Sequence, residues 1–196
     1  IQNIFTIIQD NDFIKEESTS RRTYDIVSEY KDYIEKNIRL EKKLKVVVDA
    51  GNGTAGVIAC PIFKKLGCDV IELYCEMDGN FPNHHPDPTL PEALEDLINE
   101  VIKSKAHLGI AYDGDGDRIG AIDDEGHIIW GDLLMVLFSQ DILSRNPGAS
   151  IISEVKASKV FYEEVKKELS QKYPIIDIDG VRAIFPEGWG LVRASN

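Results

Sequence analysis

The chain has 196 residues, of which 43% are hydrophobic and 29% are charged, a composition typical of globular proteins. Its 34 acidic and 22 basic side chains give a net charge of -12, which would repel nucleic-acid phosphates, so we expect no nucleic-acid partner. No apolar run reaches the roughly 18 residues of a membrane span, and the first residues lack a signal-peptide pattern. We therefore expect no membrane partner and a cytoplasmic protein.

The first half of the chain alternates between predicted helices and strands. An amphipathic helix is predicted in residues 24–38, because apolar side chains recur there at intervals near four. Short apolar, β-branched runs predict three buried strands: residues 44–49, 69–75 and 107–113. A helix ending near Leu66 separates the first two strands. This alternation predicts an α/β fold with a mainly parallel sheet, flanking helices and ligands at the carboxyl ends of the strands.

The helix before the third strand has the clearest predicted start. Thr89 and Glu92 have the spacing of a capping box, in which each side chain bonds the other residue's backbone N–H. Its predicted buried face consists of apolar residues at helical spacing: Leu94, Leu97, Ile98, Val101 and Ile102.

After the third strand the predicted pattern changes. Residues 118–130 predict a β-hairpin around an Asp-Glu-Gly turn. A helix at 132–143, a strand at 149–155 and a charged helix at 159–172 follow. The remaining residues contain Asp-Gly and Glu-Gly turns and predict a C-terminal antiparallel meander of three short strands.

The segment YDGDGDR, residues 112–118, follows the third strand directly. Asp113, Asp115 and Asp117 alternate with glycines, which let the backbone curl so that the three carboxylates point inward. Three carboxylates with no neighbouring His or Cys favour magnesium or calcium over zinc. Arg118 adds a guanidinium beside this cage, which suits a phosphoryl group held between them. The segment therefore predicts a Mg²⁺ site for phosphate chemistry.

Two other interpretations of this segment agree less well with it. An EF-hand calcium loop requires Gly at position 6 and Glu at position 12, where this chain has Arg118 and Asp124, and it requires flanking helices. A solvent-facing acidic turn agrees with one Asp-Gly pair, but three like charges at the end of a buried strand would destabilise the fold.

The turn after the first strand, DAGNGTAG, suggests a different class of protein. Its three glycines fit the dinucleotide fingerprint G-x-G-x-x-G between a strand and a helix: Gly51, Gly53 and Gly56. An NAD-binding dehydrogenase domain is therefore an alternative. However, Asp49 and Asn52 would crowd a pyrophosphate, and hydride transfer has no use for the aspartate segment. Glycines that merely join strand to helix are the third possibility.

Two further groups of side chains suit an anionic substrate. Lys156 follows the strand at 149–155, where its ammonium could face an anion, although an ordinary surface lysine fits equally well. Near the end of the chain, Arg193, Ser195 and Asn196 combine a guanidinium, a hydroxyl and an amide, a set suited to gripping a phosphate dianion. A solvated strand end is the alternative there. The three cysteines form no C-x-x-C pair and are expected to be buried, small apolar side chains.

Together these segments resemble a known family. The chain resembles the α-D-phosphohexomutases, most closely their bacterial phosphomannomutase/phosphoglucomutase branch, in five segments that occur in the family's order: VVVDAGNGTAG, GNFPNHHPDP, YDGDGDRIG, SEVKAS and DGVRAIFPEGWGLVRASN. The resemblance covers nearly all of residues 20–196. The RASN ending favours this branch over the phosphoglucosamine mutases, which remain the alternative within the family.

The resemblance implies a reversible phosphoryl transfer between O1 and O6 of mannose or glucose phosphate. The transfer would proceed through a phosphoserine and a hexose 1,6-bisphosphate, so the implied partners are these hexose phosphates. It also implies that Asp113, Asp115 and Asp117 bind the Mg²⁺ that contacts the phosphoserine. A monomer or weak homo-oligomer is expected.

The resemblance also implies roles for other residues. Arg118 would lie beside the moving phosphoryl group, and Lys156 would serve as acid/base helper or electrostatic clamp. Arg193, Ser195 and Asn196 would hold the substrate's non-reacting phosphate.

The chain departs from the family pattern in two places. It lacks the Ser-His-Asn-Pro stretch of the phosphoserine and the Gly-Glu-x-Ser-Gly-His stretch that recognises the sugar. It also passes from Ser158 to Asp179 where the family has most of a domain. We therefore expect a join, at which two segments that the family keeps apart become adjacent, between about Ala157 and Lys172. We also expect the 196 residues to be inactive alone.

The expected organisation has four parts: the end of an N-terminal domain with a connector helix (1–42), a metal-binding α/β domain (43–129), a partial sugar-binding domain (130–160) and a partial C-terminal phosphate-binding domain (161–196). A non-catalytic metal-binding module is the alternative functional class, and it would bind Mg²⁺ without binding a sugar phosphate.

Overall fold

The structure is a computed structural model, and it describes most of the chain: residues 2–13, 22–147, 149–154, 157–169, 175–178 and 181–184. None of the helices in these ranges is both long and apolar enough to span a bilayer.

A five-stranded sheet organises the first part of the chain. Its strands are β1 (Lys45–Asp49), β2 (Asp69–Leu73), β3 (Leu108–Tyr112), β4 (Ile119–Ile122) and β5 (Ile128–Ile129). Their order is β2-β1-β3-β4-β5, and β1 is parallel to both of its neighbours, while β4 is antiparallel to β3 and β5. The predicted α/β architecture is confirmed. The sheet is mixed rather than mainly parallel, because the predicted hairpin extends the same sheet.

Both faces of the central strand β1 are buried, which explains its uninterrupted apolar sequence. Val46 and Val48 lie on one face in a cluster with Cys60 of helix α3 (Gly56–Lys65). Val47 lies on the other face, in a cluster with apolar residues of helix α4 (Glu95–Ser104). The two helices therefore enclose the sheet and leave its edges, where the loops lie, for a binding site.

The predicted capping box at the start of α4 is wrong. Thr89 instead donates its backbone N–H and hydroxyl to the carboxylate of Asp87, over 3.0 and 2.7 Å. A 3-10 turn, Pro91–Leu94, precedes the helix, and no side chain caps it. The predicted buried face holds for Leu94, Leu97 and Val101, whereas Ile98 is partly buried and Ile102 is exposed.

Two helices precede the sheet. Helix α1 (Gln2–Gln9) has no buried residues, and helix α2 (Ile26–Asn37) forms where an amphipathic helix was predicted. The carboxylate of Asp25 caps α2 by accepting the backbone N–H of Ser28. The ammonium of Lys65, at the end of α3, contacts two α2 carboxylates, which join α2 to the sheet-covering helix.

A second group of elements follows β5. Helix α5 (Gly131–Arg145), strand β6 (Ile151–Glu154) and helix α6 (Lys159–Leu169) share a small core: Val136, Leu143, Ile151, Phe161 and Val165. Strands β7 (Ile175–Ile178) and β8 (Val181–Ile184) are antiparallel, and β8 also pairs with β6. Two strands of the predicted meander are therefore present, and the third lies outside the described residues. Helix α6 spans most of the described part of the window predicted for a join, and the join itself stays a prediction.

Candidate metal and phosphate site

The aspartate loop, defined as residues 113–118, connects β3 to β4 at the carboxyl end of β3. The backbone N–H of Asp113 donates to the carbonyl of Arg118 over 3.3 Å, which closes the loop at its base. Gly116 adopts φ +77°, a left-handed conformation that glycine reaches without strain, so the chain can reverse direction here. Strands flank the loop on both sides, in contrast to the helices of an EF-hand.

The three carboxylates of the aspartate loop converge. One oxygen from each of Asp113, Asp115 and Asp117 lies within 4.8 Å of the other two. Asp113 is buried, whereas Asp115 and Asp117 are exposed. The loop is therefore not an acidic turn whose charges diverge into solvent.

This donor set fits Mg²⁺. The ion binds oxygen ligands at 2.0–2.1 Å, so two ligands on opposite sides of it are about 4.2 Å apart. The three oxygens lie no more than 4.8 Å from one another, which is compatible with one shared ion, and the exposed positions of Asp115 and Asp117 leave room for water or substrate oxygens on it. With no His or Cys in the loop, the set favours a hard cation.

The titration behaviour of the loop reflects crowded negative charge. Burial alone would raise the pKa of Asp113, but hydrogen bonds from the Arg118 backbone and guanidinium lower it to about 2. The pKa of Asp117 is raised, first by its hydrogen bond with Asp113 and then by the charges of Asp115 and Asp113. The guanidinium hydrogen-bonds to Asp113 and lies 3.8 Å from an Asp117 oxygen, and a divalent cation would relieve the repulsion that remains.

Arg118 is held in place by two carboxylates. Its Nε donates to Oδ2 of Asp113 over 2.9 Å, and its Nη1 donates to Oδ1 of Asp87 over 2.8 Å. Asp87 comes from the Pro-rich loop before α4 and is itself fixed by Thr89. The guanidinium remains about half exposed, so its free edge is available to an anion beside the aspartate loop.

The glycine-rich turn, which is the segment DAGNGTAG after β1, packs directly against the aspartate loop. A Cβ added at Gly53 would lie 2.6 Å from the carbonyl oxygen of Gly114, and the Thr54 backbone N–H donates to that oxygen over 3.0 Å. A Cβ at Gly56 would lie 2.5 Å from the Cys75 carbonyl oxygen. Close backbone contact therefore accounts for these two glycines without a dinucleotide.

A buried acid and a histidine lie beside this turn. Asp49, at the carboxyl end of β1, is 1% exposed and accepts the Gly51 backbone N–H over 2.8 Å. The Nε2 of His84 is 3.2 Å from both Asp49 carboxylate oxygens, while its Nδ1 is 3.0 Å from the carbonyl oxygen of His85. Burial raises the pKa of Asp49, and hydrogen bonds from Gly51 and His84 oppose that shift. The Asp49–His84 pair therefore holds the start of the glycine-rich turn through the Gly51 N–H.

An apolar groove of about 510 Å³ ends at the same loop. It runs between α2, α3 and the sheet, and Asp115 and Gly116 close one end of it. Its aliphatic lining, which includes Ile34, Ile58 and Leu66, offers few partners for sugar hydroxyls or phosphate oxygens. The polar rim at Arg118 is the better surface for an anionic substrate.

The structure brings together four of the predicted site residues: Asp113, Asp115, Asp117 and Arg118. The other four lie outside the described residues: Lys156, Arg193, Ser195 and Asn196.

The contacts of Asp49, His84 and Asp87 around the site were not predicted from the sequence. The only signal was their composition, since polar side chains cluster in a Pro-rich loop and at a strand end. Neither spacing nor periodicity shows which of these side chains meet.

The fold and the site define an α/β protein with a hard-cation site and an anchored guanidinium at the carboxyl edge of its sheet. Residues 28–126 match the model of a protein family described as phosphoglucomutase/phosphomannomutase, alpha/beta/alpha domain II. The chain therefore belongs to the phosphoglucomutase/phosphomannomutase family.

Individual relatives agree with this family. The chain is 50% identical over 194 residues to a Pseudomonas putida protein named phosphomannomutase/phosphoglucomutase, covering 98% of this chain and 39% of that protein. A Pseudomonas aeruginosa protein of the same name is 56% identical over 135 residues, covering 69% and 29%. A crystal structure of a phosphoglucomutase/phosphomannomutase family protein from Burkholderia thailandensis superimposes with a TM-score of 0.80 at 45% identity, covering 85% and 36%. The chain thus spans no more than 39% of the length of these relatives.

Proposed function

We propose that this chain supplies the metal-binding part of a cytoplasmic phosphohexomutase. The reaction is the reversible transfer of a phosphoryl group between O1 and O6 of mannose or glucose phosphate, through a phosphoserine and a hexose 1,6-bisphosphate. The observation that carries the proposal is the convergence of three carboxylates beside an anchored guanidinium. The names of the bacterial relatives support the choice of substrate class.

The chain's own residues divide the work of phosphoryl transfer. Asp113, Asp115 and Asp117 hold Mg²⁺, which when bound neutralises charge on the transferring group. Arg118 donates N–H groups to a phosphoryl oxygen from its exposed edge. Asp87 fixes the guanidinium in advance, so less side-chain entropy is lost when the anion binds.

The remaining assignments follow the family resemblance. Lys156 acts as acid/base helper or electrostatic clamp, and Arg193, Ser195 and Asn196 hold the phosphate that does not react. Because the sequence contains neither the phosphoserine stretch nor the sugar-recognition stretch, these 196 residues alone bind ligands without turning them over.

Calorimetric titration with Mg²⁺ tests the metal site. After removal of metal with a chelator, we expect saturable binding that weakens by at least about tenfold in Asp115→Asn, because one carboxylate ligand is lost. Asp124→Asn is the matched control, since it removes an exposed aspartate outside the aspartate loop and should bind as the wild type does. Equal binding by both variants would contradict the assignment.

A second titration separates the mutase component from a plain metal-binding module. With Mg²⁺ present, glucose 1,6-bisphosphate should bind to the wild type and more weakly to Arg118→Gln. A module of the alternative class would bind Mg²⁺ and show no response to the bisphosphate. A coupled assay for conversion of glucose 1-phosphate to glucose 6-phosphate should show no turnover, and measurable turnover would refute the expectation that this chain is inactive alone.

A further inference from the structure

Two cysteines that are separated by 15 positions in the sequence meet in the fold. The Sγ atoms of Cys60, on α3, and Cys75, just after β2, are 3.4 Å apart. Cys60 is buried and Cys75 is half-buried. All three cysteines pack in or against the apolar cluster around β1, as expected, and this pair adds a direct contact between sulfurs.

The two thiols are in direct contact and interact as donor and acceptor. A disulfide bond is about 2.05 Å long, so the sulfurs need to approach by about 1.4 Å to form one. The Cys75 side chain also lies 3.3 Å from the carbonyl oxygen of Leu73 and 3.5 Å from that of Val48, contacts that keep its sulfur turned towards the interior. The hydrogen bond within the pair lowers the pKa of Cys60 and raises that of Cys75.

We propose that Cys60 and Cys75 form a reversible disulfide by exchange with a low-molecular-weight disulfide such as glutathione disulfide. The sulfur of one cysteine attacks one sulfur of the small disulfide, forming a mixed disulfide and releasing one thiol. The other cysteine then attacks that protein sulfur, which forms the internal bond and releases the second thiol. The protein thiols lose two electrons, the small disulfide gains them, and both thiol protons end on the released molecules.

The first exchange is the slow step. Cys60 is buried and the Cys75 sulfur is turned towards the interior, so a small disulfide reaches either sulfur more slowly than it reaches an exposed cysteine. The second step is intramolecular between atoms that are already in contact, which makes it fast.

The disulfide would restrain the segments that pack against the aspartate loop. The segment carrying Cys75 is bonded to the glycine-rich turn, since the Asn52 backbone N–H donates to the Tyr74 carbonyl over 2.7 Å and the Asn52 side chain donates to the Glu76 carbonyl over 2.9 Å. Gly56, at the start of α3, packs against Cys75. A bond between Cys60 and Cys75 therefore ties α3 to the turn that supports the aspartate loop.

A soft-metal site is the other chemistry these groups could support. Ligand atoms of Cys60, Cys75 and Glu72 lie within 4.8 Å of one another. However, the Glu72 carboxylate is paired with the ammonium of Lys64 over 2.5 Å, so the third ligand is already engaged. Two sulfurs in contact favour the disulfide.

The test is a redox titration of the full 196-residue chain in buffers of reduced and oxidised glutathione, read by mass spectrometry of the quenched, alkylated protein. We expect a species that carries two fewer alkyl groups than the reduced chain, and a proteolytic fragment linking Cys60 to Cys75. Cys68→Ser should behave identically, because Cys68 is buried and its pKa is raised by burial rather than by a sulfur partner. Cys60→Ser and Cys75→Ser should each abolish the linked species.

Thermal melting and a control with the unfolded chain complete the test. Thermal melting of the oxidised chain should occur roughly 5 to 10 °C above that of the reduced chain, because the bond closes a loop in the unfolded state. The urea-unfolded chain serves as the positive control for thiol competence. The proposal is overturned if the folded chain stays reduced where the unfolded chain oxidises, if the link involves Cys68, or if the purified chain retains zinc that blocks the exchange.

Discussion

Replacing Gly53 with alanine should disturb the metal site without removing any ligand. The added Cβ would lie 2.6 Å from the Gly114 carbonyl oxygen and 2.9 Å from the Gly114 Cα, where tolerable contact begins near 3.4 Å. Either the glycine-rich turn or the aspartate loop must therefore move by about 0.8 Å. Both partners are backbone atoms, so no flexible side chain can absorb the shift.

The size of the effect follows from this displacement. Overpacking of a tight contact costs about 1–3 kcal/mol of unfolding free energy, which lowers the melting temperature of a chain this long by about 3 to 10 °C. The same shift moves Asp113 and Asp115 relative to Asp117, and Mg²⁺ demands near-ideal octahedral geometry. We therefore expect a loss of Mg²⁺ affinity on the order of tenfold.

Differential scanning calorimetry and Mg²⁺ titration measure the two effects. Gly79→Ala is the matched control, because a Cβ at Gly79 meets nothing within 4 Å and should change neither quantity. If Gly53→Ala melts and binds Mg²⁺ as the wild type does, the glycine-rich turn does not set the position of the aspartate loop.

Two further variants address the charges around the site. In Arg118→Gln, the side-chain hydrogen bond to Asp113 is lost, so the pKa of Asp113 rises from about 2 towards its ordinary value. A lowered carboxyl pKa contributes stability at higher pH, and this stability is lost as the pH falls through that pKa. The free energy of unfolding in urea, measured between about pH 5 and pH 2 with a chelator present, should therefore fall less with decreasing pH in the variant than in the wild type. An equal fall in both proteins would contradict this. In His84→Phe, the buried Asp49 carboxylate loses its ring N–H partner, so the free energy of unfolding at pH 7 should fall by about 1–3 kcal/mol. His85→Phe, at an exposed position, should leave the free energy of unfolding unchanged. Equal urea midpoints for the two histidine variants would refute the role given to His84.

The strands and helices around the sheet were predictable because their signals are local. Uninterrupted β-branched runs predict strands that are covered on both faces, and Val46, Val47 and Val48 are almost fully buried, as this requires. The convergence of the aspartate loop was also predictable, since alternate glycines let the backbone bend tightly enough to bring the three carboxylates together. These inferences need no knowledge of distant contacts.

The errors arose where a distant or competing contact decided the structure. The predicted capping box failed because Thr89 bonds back to Asp87, two residues earlier, and that bond shapes the loop that presents Asp87 to Arg118. Likewise, Cys60 and Cys75 meet only because β2 places the second cysteine beside α3. The spacing of residues along the sequence reveals neither of these contacts.

Acidic residues end two neighbouring strands of the sheet, and the fold compensates their charge in different ways. Asp49 ends β1 and Asp113 follows β3, with Asp49 in register with Ala111. Asp49 is desolvated, so its charge is met by the Gly51 N–H and the His84 ring. Asp113 has the Arg118 guanidinium and lies beside the exposed carboxylates of Asp115 and Asp117.

This division has a physical reason. A buried acid whose partners are all internal makes a rigid support, because no change in solvent ions alters its contacts. A cluster that includes two exposed carboxylates can gain a cation and a phosphoryl oxygen without dismantling the fold. The sheet edge therefore separates the carboxylate that holds the glycine-rich turn in place from the carboxylates to which we assign the metal, and the contact between Gly53 and Gly114 links the two.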